Sequence, residues 1–200
     1  MRSIDEILVG EYLEQNGFMA RPLRKSRPQS KKSGDEGLDL YIRNMVFVPG
    51  GREPNFLLFS SELRYLESAI VCVRGWYGEK AALASMSSGS DILRYLESHV
   101  AKKVEKWFAY DKGVTFGTKI PPKKILLAPV FPTQEPHRSQ CIELLKSKGV
   151  DGIFSFKSIL LDLIDRVDTK QIYEKSQLLQ LLRTLKTFDL LKDSQMDLLG

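Results

Sequence analysis

The chain is poor in cysteine: Cys72 and Cys141 are the only two among 200 residues. Two lone thiols exclude a disulfide framework and fit a reducing, cytoplasmic setting. Histidine is equally scarce. His99 and His137 are scattered relative to each other and to the cysteines, so a zinc site built on closely spaced ligands is not expected. Long apolar runs are also missing. The opening Met1-Arg2-Ser3-Ile4-Asp5-Glu6 lacks the apolar core of a signal peptide, and no stretch is long enough to cross a bilayer, so no membrane partner is expected. Internal repeats are absent.

The excess of charge is modest, with 30 basic against 25 acidic residues and a formal net charge of +5. That balance permits a polyanionic partner, DNA or RNA, without demanding one. Its distribution is uneven. Arg21, Arg24, Lys25, Arg27, Lys31 and Lys32 crowd one short segment with no acid among them. Such a cluster either tracks phosphates or forms a solvated loop.

A chain of this length can bury one substantial core, which predicts a single domain over residues 1–200 with a helical extension from about 157. Ser3 and Glu6 match a capping box, and Ile4, Ile7, Leu8, Tyr12 and Leu13 recur at helical spacing up to Asn16-Gly17. Phe18 to Arg21 starts a strand. Residues 26–36 read as a hairpin connection, after which Leu38, Leu40 and Ile42 alternate with Asp39, Tyr41 and Arg43 along a second strand. The state of Phe56 to Phe59 is left open by periodicity, and Ser60-Ser61-Glu62 opens a short helix.

Ile70-Val71-Cys72-Val73 is apolar on both faces, as a covered central strand requires. Residues 78–90 read as a loop, and Ser90-Asp91 as the cap of a helix running to about Ala109. A strand over 124–131, a helix over 136–148, a strand over 152–155 and helices over about 157–167 and 174–191 complete the chain. This alternation predicts an α/β fold with a mixed central sheet flanked by helices.

One strand carries an acid, Asp39 in Leu38-Asp39-Leu40, and the later Cys72-Val73-Arg74 has the shape of a strand meant to face it. With Glu6 on the first helix, this order resembles the PD-(D/E)XK, or restriction-endonuclease-like, superfamily. The resemblance covers roughly the first eighty residues and its motif is short. It implies Glu6 as the helix acid, Asp39 as the hairpin acid, and Cys72-x-Arg74 in the place of Glu-x-Lys. In that family carboxylates on two strands hold Mg²⁺, which activates water and stabilises charge on the scissile phosphate.

The two-residue strand period puts Cys72 and Arg74 on one face, toward Asp39. Arg74 can offset phosphate charge, but its pKa suits proton transfer poorly, and a neutral thiol is a poor ligand for a hard cation. The resemblance therefore implies a degenerate site: Asp39, Arg74 and Glu6 as catalytic remnants, Asp39 and Glu6 as any metal ligands. The basic segment and Trp76 would contact nucleic acid, since aromatics can stack on bases.

Alternatives stay open at this stage. A carboxylate relocated to Glu62, Glu67 or Glu79 would restore an active Mg²⁺-dependent nuclease, and a scaffold protein keeping the fold needs no nucleic acid. Glu6 also fits as a mere capping residue, Asp39 as a partner of Arg74, and Cys72 as a small buried apolar residue. A nucleophilic Cys72 would need His99 or His137 within reach. Leu178, Leu179, Leu181, Leu182, Leu185 and Phe188 form a stripe that packs on the domain or pairs with a second copy in a homodimer.

Overall fold

The computed structural model describes residues 4–23, 37–74, 88–109, 120–128 and 131–191. Helix α1 (Ile4–Gln15) leads into strand β1 (Phe18–Leu23), then β2 (Gly37–Asn44) and the short β3 (Leu57–Leu58). A 3₁₀ turn (Ser60–Tyr65) precedes β4 (Ser68–Arg74). Helix α2 (Gly89–Tyr95) continues through a π-turn (Leu96–Val100) into the short α3 (Val104–Trp107). Then follow β5 (Lys123–Ala128), α4 (His137–Ser147), β6 (Gly152–Ser155), α5 (Phe156–Arg166) and α6 (Gln177–Thr187).

The strands form a six-stranded mixed sheet in the order β1-β2-β4-β5-β6-β3. β1 and β4 run antiparallel to β2, whereas β4, β5, β6 and β3 run parallel to one another. The fold is thus the α/β architecture with helices over both faces that the alternation predicts. Every residue of β4 is buried, as its apolar sequence requires of a strand covered on both sides.

Strand alternation sorts the side chains into two cores. Leu40, Ile42, Val71 and Val73 face a layer containing Leu8, Val9, Tyr12 and Leu13 of α1 with α5 and α6. Tyr12 meets Phe154 edge-on at 5.9 Å between ring centres. Ile70, Cys72 and Leu126 face the opposite layer, built from α2, the π-turn, α3 and α4. The C-terminal helix lies in the first layer, with Leu179 and Leu182 buried, while Leu181 and Phe188 remain exposed. Lys186 Nζ donates to the carbonyls of Ile164 and Val167, each at 2.9 Å, and so closes the last turn of α5.

Local chemistry sets several boundaries. Gly17 ends α1 at φ +79°, and a Cβ there would meet Val46 Cγ2 at 2.9 Å. The cap of α2 is Ser88 rather than Ser90, its hydroxyl accepting from Asp91 N at 3.2 Å. The expected continuous helix to Ala109 is instead broken. Ala101 N reaches back five residues to Leu96 O at 2.8 Å, and Ser98 Oγ donates to Arg94 O at 2.7 Å. The wider turn re-aims the chain so that Val100, Val104 and Trp107 all enter the core. Likewise α6 starts at Ser176, whose hydroxyl accepts from Leu179 N and donates to Glu11 Oε2 at 2.6 Å. Ser3, the expected cap of α1, lies outside the described residues.

Asp5 is 2 % exposed in the first turn of α1, and its Oδ1 has no hydrogen-bond partner among the described residues. Burial, and then the charge of Glu6, pushes its carboxyl above the ordinary 3.8, against a smaller opposing pull from its own backbone N–H. A raised folded value means that ionising Asp5 costs the folded state stability once pH rises past 3.8. Asp5→Asn should therefore raise the melting temperature at neutral pH by an amount equivalent to about 1 kcal/mol. That gain should shrink as pH falls toward 3.8 and be absent below it. Melting curves of both proteins across pH check this, and a gain independent of pH would refute it.

Candidate functional site

Strand register brings part of the expected constellation together. Asp39 on β2 lies directly opposite Cys72 on β4, and Gly37 opposite Arg74. Asp39, Cys72 and Arg74 therefore share the face that looks toward α2–α4, as the two-residue period requires. Arg74 Nη1 lies 2.8 Å from Asp39 Oδ1, with Asp39 only 5 % and Arg74 8 % exposed. The same nitrogen donates to Val73 O at 3.0 Å and, at the limit, to Leu38 O at 3.5 Å. Its N–H groups aim at these carbonyls, so its contact with Oδ1 is one of charge rather than a straight hydrogen bond.

Trp107 of α3 completes the arrangement. Its ring lies 4.9 Å from the Arg74 guanidinium carbon, close enough for a cation–π contact in a water-poor space. The break in the helix after Tyr95 is what delivers this indole to the end of β4. Nothing in the sequence marked Trp107 as part of the site. An amphipathic pattern through a π-turn would have been needed to find it.

Glu6 is not brought to the pair. Helix α1 packs on the other face of the sheet, where the opposing strand side chains are Leu40, Ile42, Ala69, Val71 and Val73. Glu6 and Asp39 thus sit in different layers, and the buried acid of that helix is the neighbouring Asp5.

The relocated carboxylates fare no better. Glu62 accepts from Asn55 N at 2.8 Å and Asn55 Nδ2 at 3.0 Å and pairs with Arg52, holding the approach to β3. Glu67 immediately precedes β4, seven residues from Arg74, which is roughly 23 Å along an extended strand. Glu79 lies outside the described residues, as do Arg24, Lys25, Arg27, Lys31, Lys32 and Trp76. Arg21 lies exposed on β1, its guanidinium carbon 6.0 Å from the Tyr41 ring.

These residues do not fit Mg²⁺, which demands several oxygen ligands in near-octahedral array. Asp39 offers a carboxylate already faced by a guanidinium, Cys72 is a fully buried thiol, and Glu6 stands in the other layer. Among the described residues no three His, Cys, Asp or Glu side chains are grouped to hold a metal. Nor is Cys72 placed as a nucleophile. It is 0 % exposed, while His99 is exposed and stacked on Tyr95.

A closed ion pair of this kind should behave as structure. Asp39→Ala would strand a buried guanidinium and should cost about 3 kcal/mol or more in chemical denaturation. The double variant Asp39→Leu with Arg74→Met removes both charges and should recover most of that loss. A single variant as stable as the parent would refute the buried pairing.

No family model, curated protein or solved structure matches the chain.

Proposed function

We propose that this chain is a nuclease-like protein that binds DNA or RNA without cutting it. The observation that carries the reading is the Asp39–Arg74 contact at 2.8 Å, at the two strand positions where the resemblance implies metal-binding and charge-offsetting groups. Helix, hairpin with an acid on its second strand, then a buried strand follow in the order the resemblance implies. Of the residues that would hold a metal, Asp39 is turned onto Arg74 and Glu6 stands in the other layer, so cleavage is not expected of them.

Binding is assigned to the outer edge of the sheet. β1 is the terminal strand and exposes Met19, Ala20, Arg21 and Pro22. Arg21 stands opposite Tyr41, and the exposed Arg43 opposite Met19, so the two arginines flank the half-buried Tyr41 on one face of the hairpin. Cations beside an aromatic ring suit a single strand, where phosphates meet the charges and a base meets the ring. In sequence the basic run from Arg24 to Lys32 continues directly from this edge.

Fluorescence anisotropy at low salt should show binding of single-stranded DNA or RNA that weakens steeply as salt rises. Arg21→Ala and Arg43→Ala should each weaken binding across sequences and lower the salt slope by about 1. With Mg²⁺ or Mn²⁺ present the bound strand should stay intact on a denaturing gel. Absence of binding at low salt would leave a non-enzymatic scaffold as the function. Cleavage lost on Asp39→Ala in a folded protein would restore the nuclease.

A further inference from the structure

We infer a second site, a pocket for a nucleoside monophosphate at the carboxyl edge of the parallel strands. A cavity of about 930 Å³ opens there, floored by Leu58, Ile92, Phe131 and Ile153. In α/β sheets the crevice beyond the carboxyl ends of the strands is where small ligands lodge. The volume is in the range of ligand pockets, and an apolar floor with a few polar groups is their usual lining. Ala128 pairs with Ser155, and Arg74 lies one pleat beyond the Cys72–Leu126 pair on the next strand. The cavity is therefore about 10 Å along the edge from the buried ion pair, by two strand spacings, and shares no residue with it.

The polar lining selects the ligand. Arg138 and Lys157 both border the cavity, and neither enters an ion pair among the described residues. Glu135 is the one acid among the described lining residues, and Ser139 N donates to its Oε2 at 3.1 Å. Hydrogen bonds from Ser139 keep that carboxyl below its ordinary range, so Glu135 is ionised at neutral pH and offsets one of the two cations. Among the described lining residues one positive charge is left over. Thr133, Ser155 and Ser158 add hydroxyl donors around it. A phosphate, with several acceptor oxygens and up to two charges, matches this set, and Arg138 can meet two oxygens at once.

The remainder of the cavity calls for a flat apolar body. Phe59 lines the rim and is half exposed, although an isolated large aromatic gains nothing from water. A base laid on that ring would gain stacking and cover the floor, while the ribose phosphate reaches Arg138 and Lys157. His137 is fixed close by: a Cβ on Gly89 would stand 3.0 Å from His137 Cβ, so α2 and α4 are in close contact at the mouth.

This site does not depend on strand binding at the β1 edge, and calorimetry on the full chain separates them. AMP, GMP, CMP and UMP are titrated at low salt beside adenosine and inorganic phosphate. At least one nucleotide should bind with defined stoichiometry, and more tightly than either fragment. Arg138→Ala with Lys157→Ala should weaken it by about tenfold or more, the equivalent of one good charged contact. Ser158→Trp should block it by bulk, while both variants keep the melting temperature of the parent and its oligonucleotide affinity. A 5′-phosphorylated oligonucleotide that displaces the nucleotide, where its unphosphorylated form does not, would identify the natural ligand as a strand end. Failure to displace identifies the free nucleotide. No saturable binding by any of the four, or binding untouched by both variants, overturns the site.

Discussion

The carboxyl edge of the sheet depends on how one buried guanidinium is neutralised. Arg74 ends β4, a strand covered on both faces, and its charge has little water to face. Asp39 from β2, the carbonyls of Val73 and Leu38, and the Trp107 ring together replace that water. The hairpin, the central strand and α3 are thereby fixed to one another at a single point. Removing any one partner leaves the others with a desolvated charge, which is why such clusters are costly to break and cheap to replace whole.

Much of the fold was legible because its signals are local and periodic. The alternation in β2 and the doubly apolar Ile70 to Val73 placed two neighbouring strands and the face that Asp39, Cys72 and Arg74 share. Asn16-Gly17 marked a turn that the positive φ of Gly17 makes. The strand and helix bounds of the second half fall within a few residues of expectation, the expected 124–131 strand covering Lys123–Ala128 among the described residues.

What escaped the sequence was set by distance. Layer assignment decides that Glu6 and Asp39 lie on opposite sides of the sheet, and no spacing along the chain encodes it. The helix from Asp91 broke because a hydrogen bond spanning five residues, Ala101 to Leu96, suited the packing of Val104 and Trp107 better than a regular turn. Cavities are harder still. Phe59, Arg138 and Ser155 are far apart in sequence and become neighbours only where β3 and β6 end and α4 begins.

The two differences from the Glu-x-Lys pattern that the resemblance implies, Cys72 and Arg74, are physically coupled. With Cys72 in place of an acid, Asp39 faces a small apolar neighbour and needs a cation of its own. Lysine would bring a compact, strongly hydrated charge whose donors do not match a carboxylate and two carbonyls lying in one plane of the sheet edge. Arginine turns one nitrogen, Nη1, toward the two carbonyls and the Asp39 carboxylate, and its guanidinium carbon lies 4.9 Å from the Trp107 ring centre. Once that indole is seated, ring and carbonyls occupy positions around the guanidinium that water would otherwise take. The pair thus fixes the sheet edge by engaging the very carboxylate that the resembling chemistry would need free.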